Sequence, residues 1–233
     1  GATINMSTNE FNEKAYGESN NSFGSFNTWK NTIRVGSGLL GDHFTIDARL
    51  SRISSDGYVD RAASNLQSFY FSPAYTSKHT SIRLNVFSGK EKTYQSWYGL
   101  PEALLETNRT YNAAGTEKEG APYDNQTDNY QQDHYQLFFN QVLNINWSLN
   151  IASFLTRGKG YYEEYKAAQD FESYGLTNVE IGGETITSTD LVRDRWLDNY
   201  FYGQVFSVQY KKAKDELTVG GSWNRSEEHT SEL

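Results

Sequence analysis

The sequence predicts an all-β fold, an antiparallel meander forming a partial, open transmembrane β-barrel. Three observations carry that expectation. Apolar and polar residues alternate with a period of two through segment after segment, giving each strand one apolar and one polar face. Aromatic residues make up 15% of the 233, with 17 Tyr, 13 Phe and 5 Trp against 3 Pro and no Cys, a composition suited to strands with large half-buried rings. The connections between strands alternate between short and long, so the long ones gather at one end.

Strands are expected at residues 13–25, 28–37, 43–54, 66–76, 80–89, 133–146, 148–161, 197–211 and 216–224. In the second, Trp29, Ile33 and Val35 oppose Lys30, Thr32 and Arg34; in the third, Phe44, Ile46, Ala48 and Leu50 oppose Thr45, Asp47, Arg49 and Ser51. Between these two lies "GSGLLG", which satisfies the G-x-G-x-x-G spacing of a dinucleotide loop. Such a loop must open a helix whose free N–H groups hold the phosphates. Here an alternating strand follows instead, so the glycines are read as a hairpin turn with Gly41-Asp42 at its tip. In the fifth strand Ile82, Leu84 and Val86 share a face, and in the ninth Leu217, Val219 and Trp223 do.

The expected short connections are 39–42, 77–79, 146–147 and 212–215; the long ones are 55–65, 90–132 and 162–196, and only the first, 25–27, is short where a longer one is expected. Rings cluster near strand ends, among them Tyr75, Trp147, Tyr161, Trp196, Tyr210 and Trp223. In a barrel they would sit at the headgroup levels; in a soluble sheet they would be cross-strand core pairs.

Composition excludes several functions. A net charge of −8 leaves no basic stripe for nucleic acid. Mean hydropathy is −0.74, and no apolar run approaches the roughly 18 residues of a membrane helix, which leaves a membrane barrel open. Without cysteine there is no thiolate chemistry or disulfide framework. The four histidines, His43, His79, His134 and His229, show no ligand spacing. Glu163, Glu164 and Asp194 are read as solvated loop charges rather than a catalytic carboxylate pair, and residues 124–129, "DNQTDN", lack the glycine and final glutamate of a calcium loop. The chain is therefore expected not to be an enzyme and to need no cofactor or metal.

What remains is binding. The connection 90–132 concentrates Tyr94, Trp97, Tyr98, Arg109, Tyr111, Tyr123 and Tyr130, and rings with guanidinium groups hold ligands at low entropic cost. These are the candidate ligand-binding residues; their alternative role is to pack the loop against its neighbours. Arg34, Asp47, Arg49 and Arg83 are expected on the lumen side.

The residues "GATINMST" (1–8), "FGSFNTWK" (23–30) and "LSRISSDGYVDRA" (50–62), in this order and spacing, resemble TonB-dependent outer-membrane receptors, at the junction of the plug with the first barrel strands. "GKGYYEEYK" (158–166) is closest to Bacteroidetes-type members. The resemblance implies the N-terminal part of a 22-stranded barrel with a plugged lumen. It implies uptake of a scarce small-molecule ligand, by default an iron–siderophore or other iron chelate. The partners would be outer-membrane lipid, the plug domain of the same chain and TonB, with localisation in the outer membrane of a Gram-negative bacterium. Residues 1–10 would end the plug and 11–224 form about nine barrel strands, so the sequence reads as part of something longer. Residues 225–233, "RSEEHTSEL", break the alternation and look like the translation of a short-read sequencing adapter, and they are set aside as an artefact. Two other readings stay open: a soluble β-sandwich carbohydrate-binding module, whose apolar faces would form an inter-sheet core, and a passive porin.

Overall fold

The structure, a computed structural model, describes residues 12–232; the expected end of the plug, 1–10, lies outside them. Nine long strands run in chain order. They are β1 (Ala15–Gly24), β2 (Thr28–Ser37), β3 (Phe44–Ser55), β4 (Ser64–Thr76), β5 (Thr80–Tyr94), β6 (Thr127–Val142), β7 (Trp147–Asp170), β10 (Ser188–Lys212) and β11 (Asp215–Glu232). Each pairs antiparallel with the next, giving one open sheet in the order β1-β2-β3-β4-β5-β6-β7-β10-β11. A small separate hairpin, β8 (Val179–Ile181) with β9 (Glu184–Ile186), stands in the connection between β7 and β10.

All nine expected strands are present, and the connections divide by end. Residues 38–43, 77–79, 143–146 and 213–214 make tight turns at one end; 56–63, 95–126 and 171–187 lie at the other, along with the short 25–27. The glycine-rich stretch is a hairpin: Leu40 and Phe44 exchange backbone bonds of 2.7 and 2.9 Å across Gly41 and Asp42, both at positive φ (53° and 59°). Glycine and aspartate accept that left-handed backbone readily, and no helix begins there.

Five strands extend well beyond their expected ends. β5 and β6 reach into the connection anticipated at 90–132, and β7 and β10 take up much of that anticipated at 162–196. Tyr94 and Tyr130 are thus strand residues, as are Glu163, Glu164 and Asp194. The apolar alternation stops near residue 161, yet the ladder continues, because backbone pairing needs no apolar face. β11 likewise runs through residues 225–232 in register with β10, as far as Arg195 opposite Glu232.

Register sorts the side chains into two faces. On one, Ile33 stands opposite Leu50 and Leu50 opposite Phe69; Ile82 and Leu84 oppose Phe139 and Leu137; Phe139 opposes Ile151, Ile151 opposes Phe206, and Val208 opposes Val219. These residues form a continuous apolar band from β2 to β11. The band stays open to the surroundings, with Leu50 63% and Ile33 54% exposed. Along β10 it extends from Tyr202 to Tyr210, ~27 Å of strand at ~3.4 Å per residue. At the tight-turn end it finishes in ring pairs, Phe44 with Tyr75 and Trp147 with Tyr210, centroids 5.1 and 4.9 Å apart.

The other face is polar and internally hydrogen-bonded. Tyr16 Oη donates to Asp47 at 2.7 Å and Ser72 Oγ to Asn85 at 2.8 Å; Arg83 donates to Ser72 at 3.2 Å. Asn85 and Ser72 are fully buried, as polar groups are when every partner is supplied. His134 stacks on Phe87 at 4.4 Å and shares a 3.0 Å hydrogen bond with Thr156. Arg34, Asp47, Arg49 and Arg83 share this polar parity.

Candidate functional site

The polar face at the long-connection end is where ligand chemistry gathers. The 95–126 connection folds on a small core of its own, in which Tyr94, Gln95, Asn112, Ala114 and Gln126 are buried. The Tyr94 hydroxyl donates to the Ala114 carbonyl at 3.2 Å and also to the Tyr123 carbonyl. Arg61, from the 56–63 connection, reaches in: Nη2 donates to the carbonyls of Asn112 (2.6 Å) and Ala114 (2.9 Å), and Nε to Tyr94 Oη (3.2 Å). Asn112 returns two bonds, to the carbonyls of Asp60 (3.0 Å) and Gln95 (2.9 Å).

This unit is fastened to β7 at two points. Glu163 accepts from Asn125 at 2.6 Å and from the Tyr123 hydroxyl, while its backbone carbonyl accepts from Gln95 at 3.1 Å. Burial and the Glu163 carboxylate both push the Tyr123 phenol well above its ordinary value, so it remains a donor. At the second point Glu117 takes Lys166 at 2.9 Å and the Ala167 amide at 3.1 Å. Burial pulls the Glu117 carboxyl up, but these bonds outweigh it and hold the group below its ordinary 4.5. A carboxyl with lowered pKa stabilises the folded form above the unfolded value, and that contribution is lost as pH falls through the lower folded value. Amide exchange of residues 113–120 is therefore expected to accelerate on acidification below 4.5, and Glu117→Gln to flatten that dependence.

Trp97, 61% exposed, stands edge-on to Tyr162 with centroids 5.9 Å apart. Arg195 lies over the same Tyr162 ring at 5.6 Å and donates to its hydroxyl at 2.6 Å. One step along, Arg193 and Glu164 form a 2.8 Å ion pair whose side chains are only 14% and 12% exposed; these are not solvated loop charges. Tyr130 donates to Asn199 at 2.9 Å, a path left open because a Cβ on Gly158 would fall 1.8 Å from the Tyr130 oxygen. Beside Tyr130 a cavity of about 420 Å³ opens, lined also by Ser51, Ile53, Leu66 and Glu91.

The seven residues singled out from the sequence thus fall in three places. Tyr94 and Tyr123 lie within the loop core and its fastening. Trp97 and Tyr130 are on or beside the polar face. Tyr98 and Arg109 are exposed on the loop, Arg109 bonded to the Leu105 carbonyl at 2.6 Å, and Tyr111 is half-buried within it. Tyr162, Arg193 and Arg195 were missed because β7 and β10 were ended too early; carrying the two-residue parity past Tyr161 and Trp196 places all three on the polar face. Rings and guanidinium groups side by side suit a flat, anionic ligand, held by stacking and charge-assisted hydrogen bonds. Among the described residues no group of three or more His, Asp or Glu is placed to hold a bare metal ion.

No family model and no curated protein matches this sequence. Solved structures do. The chain is similar to the ferric-catecholate import receptor Fiu of E. coli K12 in its closed form, with a TM-score of 0.66 and 14% identity over 93% of this chain and 32% of that one. The open form of the same receptor gives 0.65 and 14%, over 94% and 35%. The chain spans about a third of the length of these structures, and at this identity the likeness is one of fold: an open antiparallel meander superposes on part of the receptor.

Proposed function

We propose that the chain is the N-terminal part of the barrel of a TonB-dependent receptor in the outer membrane of a Gram-negative bacterium, a transporter rather than an enzyme, and that it takes up an iron chelate. The observation that carries this is the two-faced sheet. Its exterior band is apolar, continuous and exposed, its opposite face is polar and hydrogen-bonded, and its long connections share one end, the plan of an outer-membrane barrel. A sandwich module would bury that band against a second sheet, and the described residues place none on it. The fold shared with a ferric-catecholate import receptor supports iron as cargo, and the Bacteroidetes-type reading is supported by the 158–166 segment alone.

The mechanism follows from the placement of the groups. Cargo enters from the loop side, where Trp97, Tyr162 and Arg195 meet it. Arg34, Asp47, Arg49 and Arg83 on the polar face hold the plug, and TonB displaces it to open the lumen. Residues 1–10 belong to that plug, 11–224 to the barrel, and 225–233 derive from adapter sequence.

The test is uptake of radiolabelled ferric catecholate by cells that lack their own iron-chelate receptors and express the complete receptor carrying this chain. Uptake that requires TonB is the expected result, and Trp97→Ala is expected to weaken binding of the chelate about tenfold, the effect of losing one aromatic anchor. TonB-independent uptake would point to a porin. Absence of uptake, with the protein in the outer membrane, would remove iron chelates as cargo.

A further inference from the structure

The exterior face carries a feature that uptake of cargo does not use. Just past the apolar band, on the loop side, the lining of a groove of about 340 Å³ includes Lys90, Gln131, Arg157 and Lys159 together with the carboxylates Glu91 and Asp133. A second groove, of about 550 Å³, adjoins it through Lys90 and Gln131 and crosses the edge of the band: Ile33, Leu50 and Phe69 line its apolar part, Arg52 and Lys90 its polar part. Register sets Lys90 opposite Gln131 and Gln131 opposite Lys159. Two ammonium groups therefore flank one amide, on backbones roughly 10 Å apart.

The carboxylates at this level are Asp133, Asp198, which stands directly opposite Lys159, and Glu91, beside Lys90 in sequence. Asp133 accepts from Ser88 and from Gln131 at 3.1 Å, and Asp198 pairs with Arg157 at 3.5 Å. Lys90 and Lys159 are exposed and form no ion pair among the described residues. In a chain of net charge −8, Arg52, Lys90, Arg157 and Lys159 outnumber Asp133 and Asp198 on this face, a local excess of positive charge where the apolar band meets water. A surface apolar below and cationic above matches an anionic lipid: acyl chains against the band, phosphate among the ammonium groups.

We propose that Lys90 and Lys159 bind the anionic phosphate headgroup of an outer-leaflet lipid, with its acyl chains lying over Ile33, Leu50 and Phe69. The inference rests on the membrane reading above. Because the site is on the opposite face from Trp97, Tyr162 and Arg195, lipid and cargo do not compete. The lipid would fix the depth of the barrel wall and brace the strands that support the 95–126 connection.

The experiment places the complete receptor carrying this chain in nanodiscs containing phosphatidic acid and phosphatidylcholine and counts retained lipids by native mass spectrometry. The expected result is retention of phosphatidic acid over phosphatidylcholine by about tenfold, lost in Lys90→Gln/Lys159→Gln and kept in Lys212→Gln/Lys214→Gln at the tight-turn end. Equal retention of the two lipids, or an unchanged preference in the Lys90/Lys159 variant, overturns the site. So does complete displacement of the lipid by inorganic phosphate, which would mark a free-phosphate site instead. Photoreactive phosphatidic acid on the unmodified protein gives a reading independent of the variants: labelling at peptides containing Lys90 and Lys159 supports the site, and labelling elsewhere overturns it. Failure of the complete receptor to enter any nanodisc overturns the membrane reading itself, and the site with it.

Discussion

Leu137→Arg in the complete receptor is expected, on the proposed membrane assignment, to destabilise it in a bilayer by roughly 2–4 kcal/mol, the cost of a cation at the midplane of a lipid-facing strand. Leu137 lies in the middle of the apolar band, between Leu84 on β5 and Ser153 on β7, and is 45% exposed. Its neighbour Gln136 points to the polar face, where it accepts a long 3.4 Å bond from Asn85, and Gln136→Arg is expected to cost less than about 1 kcal/mol. Guanidinium unfolding from phosphatidylcholine vesicles measures both. Equal costs would mean that the band does not face lipid. The same assignment predicts that the unmodified chain aggregates without detergent or lipid, since β1 and β11 expose unpaired edges and the band exposes Leu50 and Ile33. A monodisperse, detergent-free monomer would be incompatible with it.

The second large effect is expected at Arg61. This guanidinium serves three acceptors and lies 5.6 Å over the Tyr94 ring, so Arg61→Ala leaves the Asn112 and Ala114 carbonyls without their charged donor. Hydrogen bonds from charged groups contribute about 1.5–3 kcal/mol; for this part-buried cluster roughly 2 kcal/mol is expected, or about a thirtyfold rise in amide exchange across residues 95–126. Arg61→Lys should recover only part of it, because one ammonium cannot reproduce the planar fork that spans two carbonyls. Unchanged protection in Arg61→Ala would show that the loop is held by Glu163 and Glu117 alone. With its base loosened, the loop should also hold Trp97 less firmly against Tyr162, so chelate binding is expected to weaken in parallel.

How far the sequence could be read depended on which force shapes each segment. Where one face of a strand is apolar and the other polar, as at Phe44 to Leu50 or Ile82 to Val86, the alternation makes the strand visible. Past the band residues 162–170 and 188–196 carry no alternation and pass for loop, although they pair with each other across β7 and β10. The small hairpin of β8 and β9 was missed for a different reason. Its signal is the pair Gly182-Gly183, at φ of 62° and 87°, but three-residue strands are too short for periodicity to register.

The candidate site divides in the same way. That connection 90–132 is rich in rings was plain from composition, but which rings face a ligand was not. Tyr94 and Trp97 are three residues apart in sequence, and one is buried while the other is 61% exposed. By itself the sequence determined the nine strands, their two faces, the end that carries the long connections and the hairpin at Gly41-Asp42, because those follow from local periodicity and turn chemistry. Only the tertiary structure decided that Arg195 meets Tyr162, that Glu164 meets Arg193, and that Lys90 and Lys159 flank Gln131. Those meetings depend on cross-strand register, which pairs residues 28 to 41 positions apart through backbone hydrogen bonds that are the same for every side chain.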